Sequence, residues 1–134
     1  MPEIDIVDST WIGVRPVTVA AAIADATNWR RWWPGMDLRV DEWRGPKGVR
    51  WSVLTACGGN AAGSMEVWLQ SIDDGTVAHF FLRLDGTRRP LRRRERERIQ
   101  HTYRRMTKQA FWGVADRLDP GRLARLAGPP TRIP

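Results

Sequence analysis

Apolar residues recur every second position at the start of this chain, every third or fourth near its end, and change period between. From Ile4 to Ile12 the set Ile4, Ile6, Asp8, Thr10, Ile12 alternates with Asp5, Val7, Ser9, Trp11, and its β-branched content predicts a strand. Gly13 to Pro16 ends it. Pro16 suits a first helical turn, where its missing N–H costs nothing, so Val17 to Ala24 is a short helix. Asp25 is placed to cap a second short helix through Thr27, Asn28, Trp29 and Trp32, which Pro34-Gly35 stops. Extended runs follow at Asp37 to Arg44 and Val49 to Thr55, joined by the turn cluster Gly45-Pro46-Lys47-Gly48. Cys57 to Gly63 is glycine-rich and reads as a flexible connection without the Lys-Ser/Thr of a phosphate-binding loop.

The next two runs, Ser64 to Ile72 and Val77 to Leu84, flank Asp73-Asp74-Gly75-Thr76 and predict a hairpin. A two-residue turn at Asp74-Gly75 sets Met65 opposite Leu84, Val67 opposite Leu82 and Leu69 opposite Phe80 on one apolar face. The other face then pairs Glu66 with Arg83, Trp68 with Phe81 and Gln70 with His79. A one-residue slip would mix the two faces. Finally, Pro90 to Leu118 carries Ile99, Tyr103, Met106, Ala110, Val114 and Leu118 at helical spacing. Before Ile99 the stripe holds only Leu91, so that part reads as a projecting lead-in. The expected fold is α+β: a curved antiparallel sheet packed on a long C-terminal helix, with two short helices after the first strand. Residues 1–118 form one domain in this reading, and residues 119–134, rich in Pro, form a mobile tail.

Charge changes the picture of the long helix. The chain carries +7 in all, and Arg88 to Lys108 alone holds ten Arg/Lys against two Glu. Cations crowding a helix N-terminus oppose its dipole. Arg88 and Arg89, with Arg92, Arg93, Arg94, Arg96 and Arg98, are therefore candidate contacts for an anionic partner, a lipid headgroup or nucleic acid. No helix-turn-helix, zinc-finger or RNP signature supports nucleic-acid recognition in particular. Eight Trp must pack, line a pocket or meet a partner. The single Cys, Cys57, allows no internal disulfide, and the acidic start MPEIDIVDST has no signal-peptide pattern, so the expected location is the cytoplasm.

The element order, Arg15-Pro16 entering the first helix, Trp29-Arg30-Arg31-Trp32-Trp33-Pro34-Gly35 after it, and the closing amphipathic helix resemble the START/Bet v 1-like helix-grip superfamily. The likeness is strongest to small actinobacterial polyketide cyclase/dehydrase-like proteins, and it spans roughly residues 5 to 118. It implies a cavity between sheet and long helix holding a lipid, a polyketide or another apolar molecule. That superfamily places six strands between the second short helix and the long one. Only four are readable here, as if a middle hairpin were deleted.

The resemblance puts Trp29, Trp32 and Trp33 at the cavity mouth. Trp51 becomes pocket floor or core. Met65, Val67, Leu69, Phe80 and Leu82 line the sheet side, and Tyr103, Met106 and Ala110 the helix side. The first expectation is non-catalytic binding of an apolar small molecule. The alternatives are a cyclase/dehydrase using the same pocket, with Tyr103 as its weak catalytic candidate, and an interaction module acting through the arginines. No cofactor is implied. His79 and His101 lie on different elements, and no HExxH or CxxC spacing points to a metal. The Trp68/Phe81 face is a candidate homodimer contact.

Overall fold

The computed structural model describes residues 1–119 and Gly121. The chain runs β1 (Ile4–Ile12), α1 (Pro16–Ala24), α2 (Ala26–Trp32), β2 (Asp37–Trp43), β3 (Gly48–Ala56), β4 (Ala61–Ile72), β5 (Gly75–Gly86) and α3 (Arg93–Leu118). The five strands make one antiparallel sheet in the order β1-β5-β4-β3-β2, so the first strand pairs with the last. The mobile tail expected from the sequence lies outside the described residues, apart from Asp119 and Gly121. No helix among the described residues is long and apolar enough to cross a membrane.

Local chemistry fixes the two short helices. Pro16 opens α1, and the Asp25 carboxylate caps α2 by accepting from Thr27 N at 3.0 Å and Thr27 Oγ1 at 2.7 Å. The Asn28 amide donates to Ala22 O at 2.8 Å, and the Trp29 indole N–H donates to Ile23 O. Side chains of α2 thus satisfy the last carbonyls of α1, which have no partner within their own helix.

The concave face of the sheet is mostly apolar, with Asp8 and Thr10 of β1 and Thr76 of β5 as its polar positions. Ile4 and Ile6, Trp51 and Val53, Met65 and Val67, and Phe80 and Leu82 are all no more than 2% exposed. At roughly 1.5–3 kcal/mol for each large apolar side chain removed from water, this layer outweighs any exposed ion pair of the molecule. From α3 it receives Ile99, Tyr103, Thr107, Ala110, Phe111, Val114 and Ala115. The buried stripe is therefore rotated from the expected one: Thr107 and Phe111 take the centre, and Met106 and Leu118 are half-buried. Lys108 latches α3 to β1, donating to Ser9 O and Thr10 Oγ1 at 2.9 Å each and pairing with Asp8 at 3.1 Å.

Three expectations need correction. The β4–β5 hairpin turns at Asp73-Asp74, not Asp74-Gly75, so Met65 faces Leu82, Val67 faces Phe80 and Leu69 faces Ala78. The register moves by two residues, which keeps every side chain on its expected face. Gly75 opens β5, with the Trp11 ring and Ile12 O lying over it. A Cβ there would sit 2.4 Å from that ring, while Asp73 takes the left-handed conformation at φ 51°. On the outer face Glu66 pairs with Arg44 and Arg83 with Asp5, instead of with each other.

The glycine-rich connection is also shorter than expected. Cys57–Gly59 is a single 3-10 turn, and Ala61, Ala62 and Gly63 belong to β4. Gly63 is needed inside the sheet, since a Cβ there would lie 1.9 Å from Arg83 O. Lastly, the arginine-rich lead-in does not project. Leu91 is 4% exposed, and its N–H donates to the Glu3 carboxylate, which also accepts from Gly86 N at 2.9 Å. The helix starts at Arg93, with Glu95 accepting from Arg92 N at 2.9 Å.

Candidate functional site

Two adjoining clefts run along the side of α3. The first, of about 420 Å³, lies between the α2–β2 corner at Pro34-Gly35, the Cys57–Gly59 turn and the face of α3 that carries Arg98, Ile99, Thr102, Tyr103 and Met106. Gly35 at φ 86° makes the corner, and Cys57 (φ 56°), Gly58 (φ 67°) and Gly59 (φ 90°) form a run of left-handed residues that folds the turn back over the helix. At its floor the Cys57 thiol meets the Tyr103 hydroxyl at 3.9 Å. Burial, reinforced by the neighbouring Cys57, pushes the Tyr103 hydroxyl well above its ordinary range. Burial likewise raises the Cys57 thiol, partly offset by Tyr103 and by the Arg98 guanidinium. Both groups therefore keep their protons and act as donors, not as a thiolate nucleophile or a base.

Glu95 lines this cleft too and brings a carboxylate to it. A hydrogen bond from Arg89, then one from Arg92 N, holds its pKa at about 2. It is a permanent anion and a poor proton acceptor near neutrality.

The second cleft, of about 460 Å³, lies between the end of α2 and the middle of α3. Arg31, Trp32 and Pro34 face Arg105, Met106, Gln109, Ala110, Gly113, Val114 and Arg117 across it. Pro34 and Met106 belong to both clefts, so the two meet there.

Apart from Trp29, the residues expected to bind ligand divide into two groups. Trp32, Tyr103, Met106 and Ala110 border the clefts. Trp33, Trp51, Met65, Val67, Leu69, Phe80 and Leu82 pack against one another, each no more than 3% exposed, and border neither cleft. Trp33 stacks on Phe80 at 5.9 Å and donates its indole N–H to Thr107 Oγ1 at 2.9 Å. Trp51 meets Trp29 edge-on at 5.3 Å and Trp33 at 5.8 Å, and its own indole N–H is buried without an acceptor among the described residues. Trp29 is half-buried and tilts against Trp43 at 6.1 Å, which the bulge around Asp41 turns to the concave side. Aromatic side chains thus pack into the space implied between sheet and helix, and the two clefts lie along the helix flank.

Sequence reasoning passed over Pro34 and Cys57 in the first cleft and Arg31, Arg105 and Arg117 in the second. A signal existed for the last two: Arg105, Gln109, Gly113 and Arg117 recur every fourth residue and share one side of α3. Of the arginines expected to meet an anion, Arg89 pairs with Glu95 at 2.8 Å, Arg93 with Glu97 at 3.2 Å, and Arg96 donates to Leu91 O at 3.3 Å. Arg88, Arg94 and Arg98 form no salt bridge among the described residues.

On the outer face of the sheet Trp68 lies opposite His79, not Phe81, and stacks on its ring at 4.9 Å. His79 is held between Ser9 Oγ and Gln70 Oε1, each at 2.8 Å. Val7, Trp11 and Trp68 stand exposed on this face.

No family model matches the sequence, and no curated protein matches it. Solved structures do. The chain is similar to an Aha1 dimer from Colwellia psychrerythraea, at 11% identity and TM-score 0.61, over 84% of this chain and 96% of that one. It is similar to a START superfamily protein from Mycobacterium smegmatis, at 10% identity and TM-score 0.56, over 85% and 98%. Ara h 8.0201 aligns at 11% identity and TM-score 0.51, over 82% and 96%. At such identities the likeness is one of architecture, and it agrees with the strand order and closing helix described above: this chain has the START/Bet v 1-like helix-grip fold.

Proposed function

We propose that this protein binds an apolar small molecule, lipid or polyketide-like, at the cleft between the Cys57–Gly59 turn, Pro34 and α3, without transforming it. The observation that carries this reading is the cleft itself. Its volume of about 420 Å³ falls within the roughly 300–1,000 Å³ of small-molecule sites. Pro34, Ile99 and Met106 supply apolar walls, and Tyr103 and Cys57 supply two protonated donors at the floor. A cyclase or dehydrase would need, beside such a donor, a base that titrates near neutrality. Glu95 is held too low for that role, and Tyr103 and Cys57 too high. Tyr103 then orients a ligand carbonyl and transfers no proton, and Tyr103→Phe weakens binding of carbonyl-bearing ligands while leaving plain hydrocarbons unaffected. The test of the main reading is native mass spectrometry of protein from its own host, with thermal shift across a lipid and polyketide panel. Thr102→Trp, which fills the cleft from its rim, abolishes the shift in this reading. No retained ligand, together with no shift from any member of the panel, refutes it.

A second reading concerns assembly. The exposed group Val7, Trp11 and Trp68 on the outer sheet face favours a homodimer through that face, and the Colwellia protein is described as a dimer. Sedimentation that stays monomeric across concentration removes this reading; a dimer that Trp68→Ala dissociates supports it. An anionic partner at Arg88, Arg94 and Arg98 predicts polyanion affinity that falls steeply with salt, and an Arg94→Ala/Arg98→Ala variant that binds unchanged dismisses it.

A further inference from the structure

The second cleft differs from the first in its charge. Three guanidinium-bearing residues, Arg31 from α2 and Arg105 and Arg117 from α3, border it, and no Asp or Glu among the described residues does. Like charges gathered on one small concavity repel one another, and in water of ordinary ionic strength they are screened only beyond about 8–10 Å. Among the carboxylates that act on the cluster is Asp25, which feels both Arg31 and Arg117. Asp25 is already engaged by Thr27 N and Thr27 Oγ1 and lies outside the cleft lining. Arg31 is held in place by donating to Asn28 Oδ1 at 2.6 Å, while Arg105 and Arg117 form no salt bridge among the described residues. Glu95, at the far end of the first cleft, is neutralised by Arg89.

Between the cations the cleft floor is apolar. Trp32, Ala110 and Val114 lie beneath it, and Met106 and Pro34 continue that floor into the first cleft, towards Ile99 and Tyr103. Gly113 keeps the cleft wall low: a Cβ there would meet nothing within 4 Å. Glycine inside a helix costs about 1 kcal/mol relative to alanine, and here that cost falls beside the arginines, where it leaves room.

We propose that the two clefts form one groove for an anionic amphiphile, with its phosphate or carboxylate head among Arg31, Arg105 and Arg117 and its apolar chain laid over Met106 and Pro34 into the first cleft. This deepens the small-molecule reading above and rests on it. Arginine suits the head because its planar fork gives paired, charge-assisted hydrogen bonds to phosphate or carboxylate oxygens. The chain end meets Tyr103 and Cys57, which as permanent donors accommodate a carbonyl or hydroxyl on the tail.

The experiment is calorimetric titration of the full chain with dodecyl phosphate below its micellar concentration, with dodecanol, and with inorganic phosphate, repeated for an Arg105→Gln/Arg117→Gln variant. Both substituted residues are exposed, so the variant is expected to keep its fold, as near-UV circular dichroism checks. Dodecyl phosphate binds at least about tenfold more tightly than dodecanol, and the variant loses about tenfold or more for dodecyl phosphate alone. Raising salt from about 50 mM to about 500 mM weakens the phosphate ester and spares the alcohol, which tests the same point without substitution. Equal affinity for ester and alcohol, unchanged by the variant and by salt, overturns the anionic head while leaving the apolar-ligand reading standing. Inorganic phosphate binding as tightly as the ester overturns the amphiphile in favour of a plain anion site. Binding by none of the three overturns the groove and, together with a null lipid and polyketide panel, the reading beneath it.

Discussion

Thr107→Val tests how the core is specified. Thr107 is 1% exposed, in the middle of the buried stripe of α3, and its hydroxyl accepts the indole N–H of Trp33, itself 1% exposed, at 2.9 Å. Valine keeps the shape and removes only the acceptor. A buried donor left without a partner costs about 1–3 kcal/mol, and exchanging hydroxyl for methyl in an apolar site returns up to about 1 kcal/mol. The net expectation is a loss of about 1–2 kcal/mol, or a Tm lowered by roughly 3–6 °C per kcal/mol in a domain of this size. Urea unfolding followed by circular dichroism measures it, with the midpoint falling at unchanged m-value. Trp33→Phe removes the donor but also part of the stack on Phe80, so the pair is read as a double-mutant cycle. In the Trp33→Phe background Thr107→Val should cost nothing or stabilise slightly. If Thr107→Val alone is neutral or stabilising, the hydrogen bond does not anchor α2 to α3, and the account of the packed interior given above is wrong.

Other expectations follow from the same geometry. Gly113→Ala stabilises the protein by about 1 kcal/mol, because the added methyl meets no neighbour and the helix loses its most flexible residue; thermal denaturation checks this, and a destabilised variant contradicts the open cleft wall. Glu95 has a folded-state pKa of about 2 against an ordinary 4.5, so its contribution is complete above 4.5 and is lost as pH falls from there towards 2. Glu95→Gln should flatten that part of the stability–pH curve, and a curve of unchanged shape argues against the Arg89–Glu95–Arg92 cap. Glu3→Ala frees the amide groups of Gly86 and Leu91 together, so hydrogen exchange should speed at both while the centre of β5 keeps its protection.

How much of this was legible depended on what each residue answers to. Elements whose pattern is set by burial on one face, such as β1 and the β4–β5 hairpin, show it as alternation. Their faces read correctly even though the hairpin register was off by two, because a shift of two preserves the alternation. The turn itself was misread because Gly75 was assigned the role glycine plays in turns. Its actual requirement comes from the Trp11 ring and the Ile12 carbonyl, which lie far away in sequence. Gly63 misled in the same way. The centre of α3 was blurred because Thr107 is polar, and nothing local shows that its partner is an indole at the corner just after α2. The helix-grip resemblance pointed to an interior cavity, whereas Trp33, Trp51 and Phe80 pack into that space, and the clefts along α3 are assembled from a corner, a turn and a helix flank that share no periodicity.

The pairing of β1 with β5 bears on how the protein is made. Ile4 lies against Leu84, and Glu3 ties down Leu91, so the first strand has no sheet partner until the other four strands have been synthesised. A nascent chain emerging from the ribosome must carry Ile4, Ile6 and Ile12 unburied while the three strands of β2–β4 already have neighbours to pair with. Contacts this distant in sequence make for slow folding, with an apolar strand exposed meanwhile. Until β5 emerges, Ile4–Ile12 is then an apolar segment left open to chaperones.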